Sequence, residues 1–269
     1  MTKKMNKLLI AKHSKSLENP YHFWLGYLLP IANELQKNKE QHTYFVRECG
    51  PMTNWLETLK NSHDVKILKP GMLLKYFLDD VPSVIFDNWD NPKNFNTNDI
   101  KKSIDYLKKI YIMEEKIKKD KVGILNRSKV LDFYTSGKQE IVSSANRIRS
   151  INNINDLHLE ISKNFNAELI DTTKVSPRIS ATKYSELSVL IGQKGAGLTN
   201  MIWMNPGSLI IEICSTKVLF SEDWDICYEE LAKNIGHNFI RVFAQEEWDG
   251  NVNINKIIET LNNRKDILK

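Results

Sequence analysis

Cysteine is scarce in this chain of 269 residues: Cys49, Cys214 and Cys227 are the only three, odd in number, far apart and without a C-x-x-C pair. That excludes a disulfide framework and the usual zinc spacings, and makes a reducing compartment the default. No apolar run is long enough to span a bilayer. No signal-peptide pattern appears either, because Met1-Thr2-Lys3-Lys4-Met5-Asn6-Lys7 leads straight into a strand-like Leu8-Leu9-Ile10. Strong charge of one sign is also missing, since the net charge is only +5. The lysine cluster at Lys116-Ile117-Lys118-Lys119-Asp120-Lys121 reads as a helix end or a solvated linker. Without a basic stripe interleaved with stacking aromatics, nucleic acid is not an expected partner, whereas a mildly basic surface suits anionic small molecules. No internal repeat is evident. Glycine is sparse as well, with 11 residues in all, which makes the crowding of Gly192, Gly195 and Gly197 conspicuous.

That crowding lies within Leu187 to Cys214, LSVLIGQKGAGLTNMIWMNPGSLIIEIC. Val189-Leu190-Ile191 is long enough for a buried strand and too short for a helix. The glycines after it permit φ > 0 and close approach of a ligand to the backbone. Leu198 to Met204 is expected to form a helix of about two turns, stopped by Asn205-Pro206-Gly207, and Leu209 to Cys214 a second strand. A strand, a glycine loop and a helix N-terminus make an anion site, to which Lys194 adds a full charge. Glu212 is a carboxylate among Leu209, Ile210, Ile211 and Ile213, so it requires a partner. A ribose hydroxyl is one, and a structural arginine is the other. The glycines likewise fit either an anion site or a plain tight turn.

Elsewhere short strands alternate with helices. Strands are expected at Leu8 to Ile10, Thr43 to Arg47, Val65 to Leu68, Val84 to Phe86, Val122 to Leu125, Ala167 to Ile170 and Asn238 to Phe243. Helices are expected from Tyr21, with a kink or a break at Pro30, and over Met52 to Leu59, Ile100 to Lys119, Asp156 to Phe165, Trp224 to Ile235 and Ile254 to Leu268. A shorter one should follow Pro177. This alternation predicts an α/β protein with parallel sheets. His22 stands at the start of the first helix, just after a polar loop. It is either a packed core histidine or a base. Asp87 and Asp90 follow the fourth strand, where carboxylates are well placed for chemistry but also common as turn residues.

The run IGQKGAGLTNMIWMNPGSLIIEI resembles the H-G-A-G-L-T-N…P-G…E signature of glycosyltransferase family 61, the DUF563 group, which includes plant β-1,2-xylosyltransferases and secretory-pathway O-linked N-acetylglucosaminyltransferases. YHFWLGYLLP is similar to the family's H-F-x-x-x-x-L-P element, and Arg127 with Arg149-Ser150-Ile151-Asn152-Asn153 to its R…R-x-I-x-N stretch. The resemblance implies a GT-B-like α/β architecture of two Rossmann-type lobes with a cleft between them. An acceptor-side lobe would occupy 1–120, a nucleotide-sugar donor lobe 121–252 and a C-terminal helix 253–269. It implies inverting transfer of a sugar of the xylose or N-acetylglucosamine class, from a UDP-sugar to a hydroxyl of a glycan or glycoconjugate, with no metal and no other cofactor. No D-x-D motif stands where a metal site would be expected.

Donor-binding residues under this resemblance are Arg127, Arg149, Lys194, Gly195, Ala196, Gly197, Leu198, Thr199, Asn200 and Glu212. His22 is the first candidate base, with Asp87 and Asp90 next. Two departures stand out: Lys194 replaces the family's loop histidine, and Gly26 occupies a position often acidic in the family. They keep open a catalytically inactive nucleotide-sugar or glycan-binding module of the same fold. A dinucleotide oxidoreductase or a methyltransferase is disfavoured, since the glycines are spaced G-x-x-G-x-G. Family relatives work in the secretory pathway, whereas the absence of an anchor leads us to expect a cytoplasmic enzyme, microbial or in the host cytoplasm if viral.

Overall fold

The computed structural model describes residues 7–12, 17, 19–37, 42–60, 63–69, 83–85, 89–112, 120–126, 151–171, 176–214, 223–244 and 250–268. The chain divides into two compact units, one holding the described residues up to Tyr111 and the other those from Ile112 onward.

The first unit is built on four strands, β1 (Lys7–Lys12), β2 (His42–Arg47), β3 (Val65–Leu68) and β4 (Ser83–Ile85), all paired in parallel in the order β3-β2-β1-β4. Successive strands step outward from β1 to β3, and then β4 returns to the other side of β1. The order therefore reverses between β1 and β4, and in an open parallel sheet the crevice beyond the carboxyl ends at such a reversal is where ligands bind.

Asn19 caps the first helix by accepting the Tyr21 N–H at 3.0 Å, with Pro20 at the first helical position where its missing N–H costs nothing. The helix runs as α1 (Pro20–Phe23), a wide π turn (Trp24–Leu28) and α2 (Leu29–Lys37). The sequence predicts a disruption at Pro30, and the structure puts it one turn earlier. Leu29 N–H reaches back five residues to the Trp24 carbonyl, and this wider turn accommodates a proline that would otherwise press on the carbonyl four residues before it. Phe23, Tyr27, Leu28, Leu29 and Ile31 are fully or almost fully buried. Helix α3 (Thr53–Lys60) contributes Trp55, whose ring meets Trp24 edge-on at 4.3 Å between centroids. Helix α4 (Thr97–Tyr111) begins three residues before the expected Ile100 and buries Ile100, Ile104, Leu107 and Tyr111 at helical spacing; residues 113–119 of the expected helix lie outside the described residues.

The second unit carries β5 (Lys121–Asn126), β6 (Asn166–Asp171), β7 (Leu187–Gln193), β8 (Leu209–Cys214) and β9 (Asn238–Phe243), again all parallel, in the order β6-β5-β7-β8-β9. Here the order reverses between β5 and β7. Strand β8 is buried at every residue, as expected of a parallel strand covered on both faces. Among the described residues, α-helices α5 (Ile154–Ser162), α6 (Pro177–Ser185), α7 (Asp223–Ile235) and α8 (Ile254–Asn262) belong to this unit. The terminal α8 is part of its core rather than an appendage: Ile257 and Leu261 pack with Leu157, Ile161, Val189 and Ile211. Among the described residues no helix is long and apolar enough to cross a membrane.

The turn into β8 depends on Gly207, with φ +89°, whose N–H donates to the Gly236 carbonyl at 2.8 Å. A Cβ on Gly207 would meet nothing within 4 Å, so substitution there isolates the backbone cost. Gly207→Ala is expected to lower stability by about 1–2 kcal/mol, read from the shift of the urea unfolding midpoint at unchanged slope.

Candidate active site

In the first unit, His22 and Asp90 come together from 68 residues apart. His22 follows β1 through the loop and the first turn of α1. Asp90 lies in the turn after β4. Both are therefore carried past the carboxyl ends of the two strands between which the sheet order reverses. His22 Nδ1 lies 2.5 Å from Asp90 Oδ2, with the aspartate side chain fully buried and the histidine 17 % exposed. The Tyr21 hydroxyl donates to the Asp90 carbonyl at 3.0 Å and ties this turn to the helix. A carboxylate only accepts hydrogen bonds, so Nδ1 is the donor of this bond and Nε2 is the ring nitrogen on the far side from Asp90. An imidazole oriented in this way, with a buried carboxylate to support the positive charge it gains, has the make-up of a general base. Of the two aspartates weighed from the sequence, Asp90 is the one placed on the histidine. Asp87 lies outside the described residues, as do Arg127 and Arg149.

In the second unit the glycine loop follows β7, at the other reversal of order. Gly192 and Gly197 serve close packing rather than positive φ, since the glycines with φ in the left-handed region are Gly50, Gly207 and Gly236. A Cβ on Gly192 would lie 2.6 Å from Leu125 Cδ1 and 3.1 Å from Leu198 Cδ2. Gly197 is similarly crowded by Leu125, at 3.2 Å. The segment expected as an α-helix is a 3-10 helix, Ala196–Trp203. Its tighter winding uses the Leu198 N–H on the Gly195 carbonyl at 3.0 Å. The first N–H groups of such a helix, here those of Ala196 and Gly197, have no partner within it. Both residues are half-buried, whereas Leu198 and Thr199 are fully buried and Asn200 nearly so. Asn200 spends its amide on the Gly197 carbonyl at 2.9 Å, and the Thr199 hydroxyl has no hydrogen-bond partner among the described residues. Lys194, 8 % exposed, is held by its own N–H on the Ile213 carbonyl at 2.8 Å.

Glu212 has the structural arginine as its partner. It stands in register with Gly192 on one side and Arg241 on the other. Arg241 Nε donates to Glu212 Oε2 at 2.7 Å, and the Cys214 thiol donates to the same oxygen at 3.1 Å. Oε1 is buried without a hydrogen-bond partner among the described residues. Burial first, and then the Glu212 carboxylate beside it, push the Cys214 thiol up to about 12, so it stays a donor. Arg241 continues through Nη1 to Glu229 on α7 at 3.1 Å. Hydrogen bonding to Lys233, ahead of the contribution of Arg241, holds the Glu229 carboxyl below its usual range. Arg241 was not singled out in the sequence. The signal was present, because a buried glutamate requires a cation and Arg241 is the only one in the neighbouring strand Asn238 to Phe243.

Each sheet is thus a parallel α/β array with its polar groups gathered past the carboxyl ends, the pattern of a Rossmann-like protein. The family follows from a broader match: the model of Glycosyltransferase 61 covers residues 21–211, well over half of the chain, and the chain belongs to that family. It is on that basis a glycosyltransferase. The match takes in His22, Asp90 and Lys194 and stops one residue short of Glu212. No curated protein matches the chain.

Breaking the Glu212–Arg241 pair from one side strands a charge in a buried strand. Arg241→Met is expected to cost about 3–5 kcal/mol of stability, and Arg241→Met with Glu212→Gln to recover most of it. Urea denaturation of the two variants beside the parent reads the difference.

Proposed function

We propose that this chain transfers a sugar of the xylose or N-acetylglucosamine class, with inversion and without a metal ion, from a UDP-sugar to a hydroxyl of a glycan or glycoconjugate. The observation that carries the reading is the His22–Asp90 dyad at the order reversal of the first sheet. In the reaction, His22 Nε2 takes the proton of the acceptor hydroxyl as its oxygen forms a bond to the anomeric carbon. The bond from that carbon to the diphosphate breaks on the opposite face, and UDP leaves with the electron pair. Asp90 holds the ring in the reactive tautomer and supports the imidazolium that forms.

Charge growing on the departing diphosphate needs positive partners. The Lys194 ammonium and the N–H groups of Gly195, Ala196 and Gly197 are assigned to it, with Arg127 and Arg149 as further cations. Thr199 and Asn200 lie behind this loop and shape it. Glu212 is assigned a positioning role, fixing Arg241 beside the loop, because its carboxylate is fully buried. A GT-B-like arrangement, with the first unit receiving the acceptor and the second the donor, is part of this proposal. The dyad also favours an enzyme over an inactive binding module, since a module has no use for an oriented imidazole.

Two measurements test the proposal. Calorimetric titration with UDP in the presence of a chelator should give binding that Lys194→Ala weakens. UDP release from UDP-xylose or UDP-N-acetylglucosamine should fall by about 10²–10⁴-fold in His22→Ala while UDP affinity is kept. Binding of UDP with undiminished turnover in His22→Ala would remove the histidine from the mechanism, and a failure of every nucleoside diphosphate to bind would remove the donor assignment.

A further inference from the structure

The turn that supplies Asp90 also supplies the wall of a cavity. Trp89, Asn94, Asn96, Asp99 and Ile100 line a space of about 240 Å³ within the first unit, smaller than the pockets that take drug-sized ligands. Its lining combines an indole with two side-chain amides and a carboxylate. Asn96 Oδ1 accepts the Asp99 N–H at 3.2 Å as the cap of α4, which fixes the residue. Asp99 is one-quarter exposed, with Lys37 Nζ 3.6 Å from its Oδ2. Trp89 is half-buried and directly precedes Asp90 in the chain, so one turn contributes to both the cavity and the dyad.

We infer that this cavity is the acceptor subsite and that it takes a single pyranose ring of a neutral saccharide, with Trp89 as its stacking face. The inference rests on the transferase reading above and adds the residues and chemistry that choose the acceptor. A pyranose is apolar across its C–H face and polar around its rim. An indole suits the first. The rim hydroxyls are donors and acceptors together, matched by a carboxylate that accepts and amides that do both. The volume suits one ring rather than an extended chain.

Saturation-transfer NMR on the full chain, with p-nitrophenyl glycosides of xylose, galactose, mannose and N-acetylglucosamine as probes, tests this. At least one glycoside should bind through its ring protons. Trp89→Ala should weaken it about tenfold, Trp89→Phe should restore most of that loss, and Asn94→Ala with Asn96→Gln should change which glycoside is preferred. UDP affinity, measured on the same samples, should not move with any of these substitutions, and the dispersion of the amide NMR spectrum reports that each variant is folded. Glycoside binding that is absent in the parent, unchanged in Trp89→Ala, or displaced competitively by UDP would overturn the subsite. Loss of the subsite with UDP binding intact leaves the transferase reading standing, whereas absence of UDP binding in the parent strikes at that reading itself.

Discussion

A parallel strand covered on both faces can offer water and ligands only its ends, and that constraint organises this molecule. In each unit the chain reverses its direction of travel across the sheet once, between β1 and β4 in the first and between β5 and β7 in the second. Connections on the two sides of a reversal lead away from each other and leave a gap past the carboxyl ends. The dyad of the first unit occupies one such position, and the glycine loop with Lys194 follows a strand that borders the other. The polar groups that carry the functional reading are thus where the sheets have room for them.

Burial then sets what each group does. Asp90 is fully buried against a histidine that keeps an exposed edge, an arrangement in which the aspartate orients the ring. Glu212 is also fully buried, but its partners are a strand neighbour and a thiol, and Arg241 passes the linkage to Glu229 and Lys233 at the surface. The two carboxylates look alike in the sequence. Their surroundings set one against a partly exposed histidine and the other inside the framework.

Much of this was legible in the residues. Short apolar runs bounded by glycine, proline and asparagine fixed the strands, because a buried parallel strand has to be continuous in apolar side chains. The family motifs pointed to His22 and the Lys194 loop. What escaped were relations across sequence distance. Whether Asp87 or Asp90 meets His22 depends on how the turn after β4 is laid down, and the register that sets Arg241 beside Glu212 exists only once β8 and β9 pair. A local rule also fell short at the glycines after β7, which permit backbone freedom in principle, yet Gly192 is needed because Leu125 and Leu198 leave no room for a side chain. Pro30 predicts a kink or two pieces, and a π turn just upstream of it divides the helix.

The central claim is that Asp90 fixes His22 Nδ1 as the donor of their hydrogen bond, which under the proposed mechanism assigns Nε2 to the acceptor hydroxyl. A long-range ¹H–¹⁵N correlation spectrum of the histidine rings near neutral pH, assigned by comparison with His22→Gln, tests it directly. The account predicts that the tautomer carrying its proton on Nδ1 predominates in the uncharged ring of His22, with that preference lost in Asp90→Asn. Predominance of the tautomer carrying its proton on Nε2 in the parent, or a tautomer indifferent to Asp90, would contradict it.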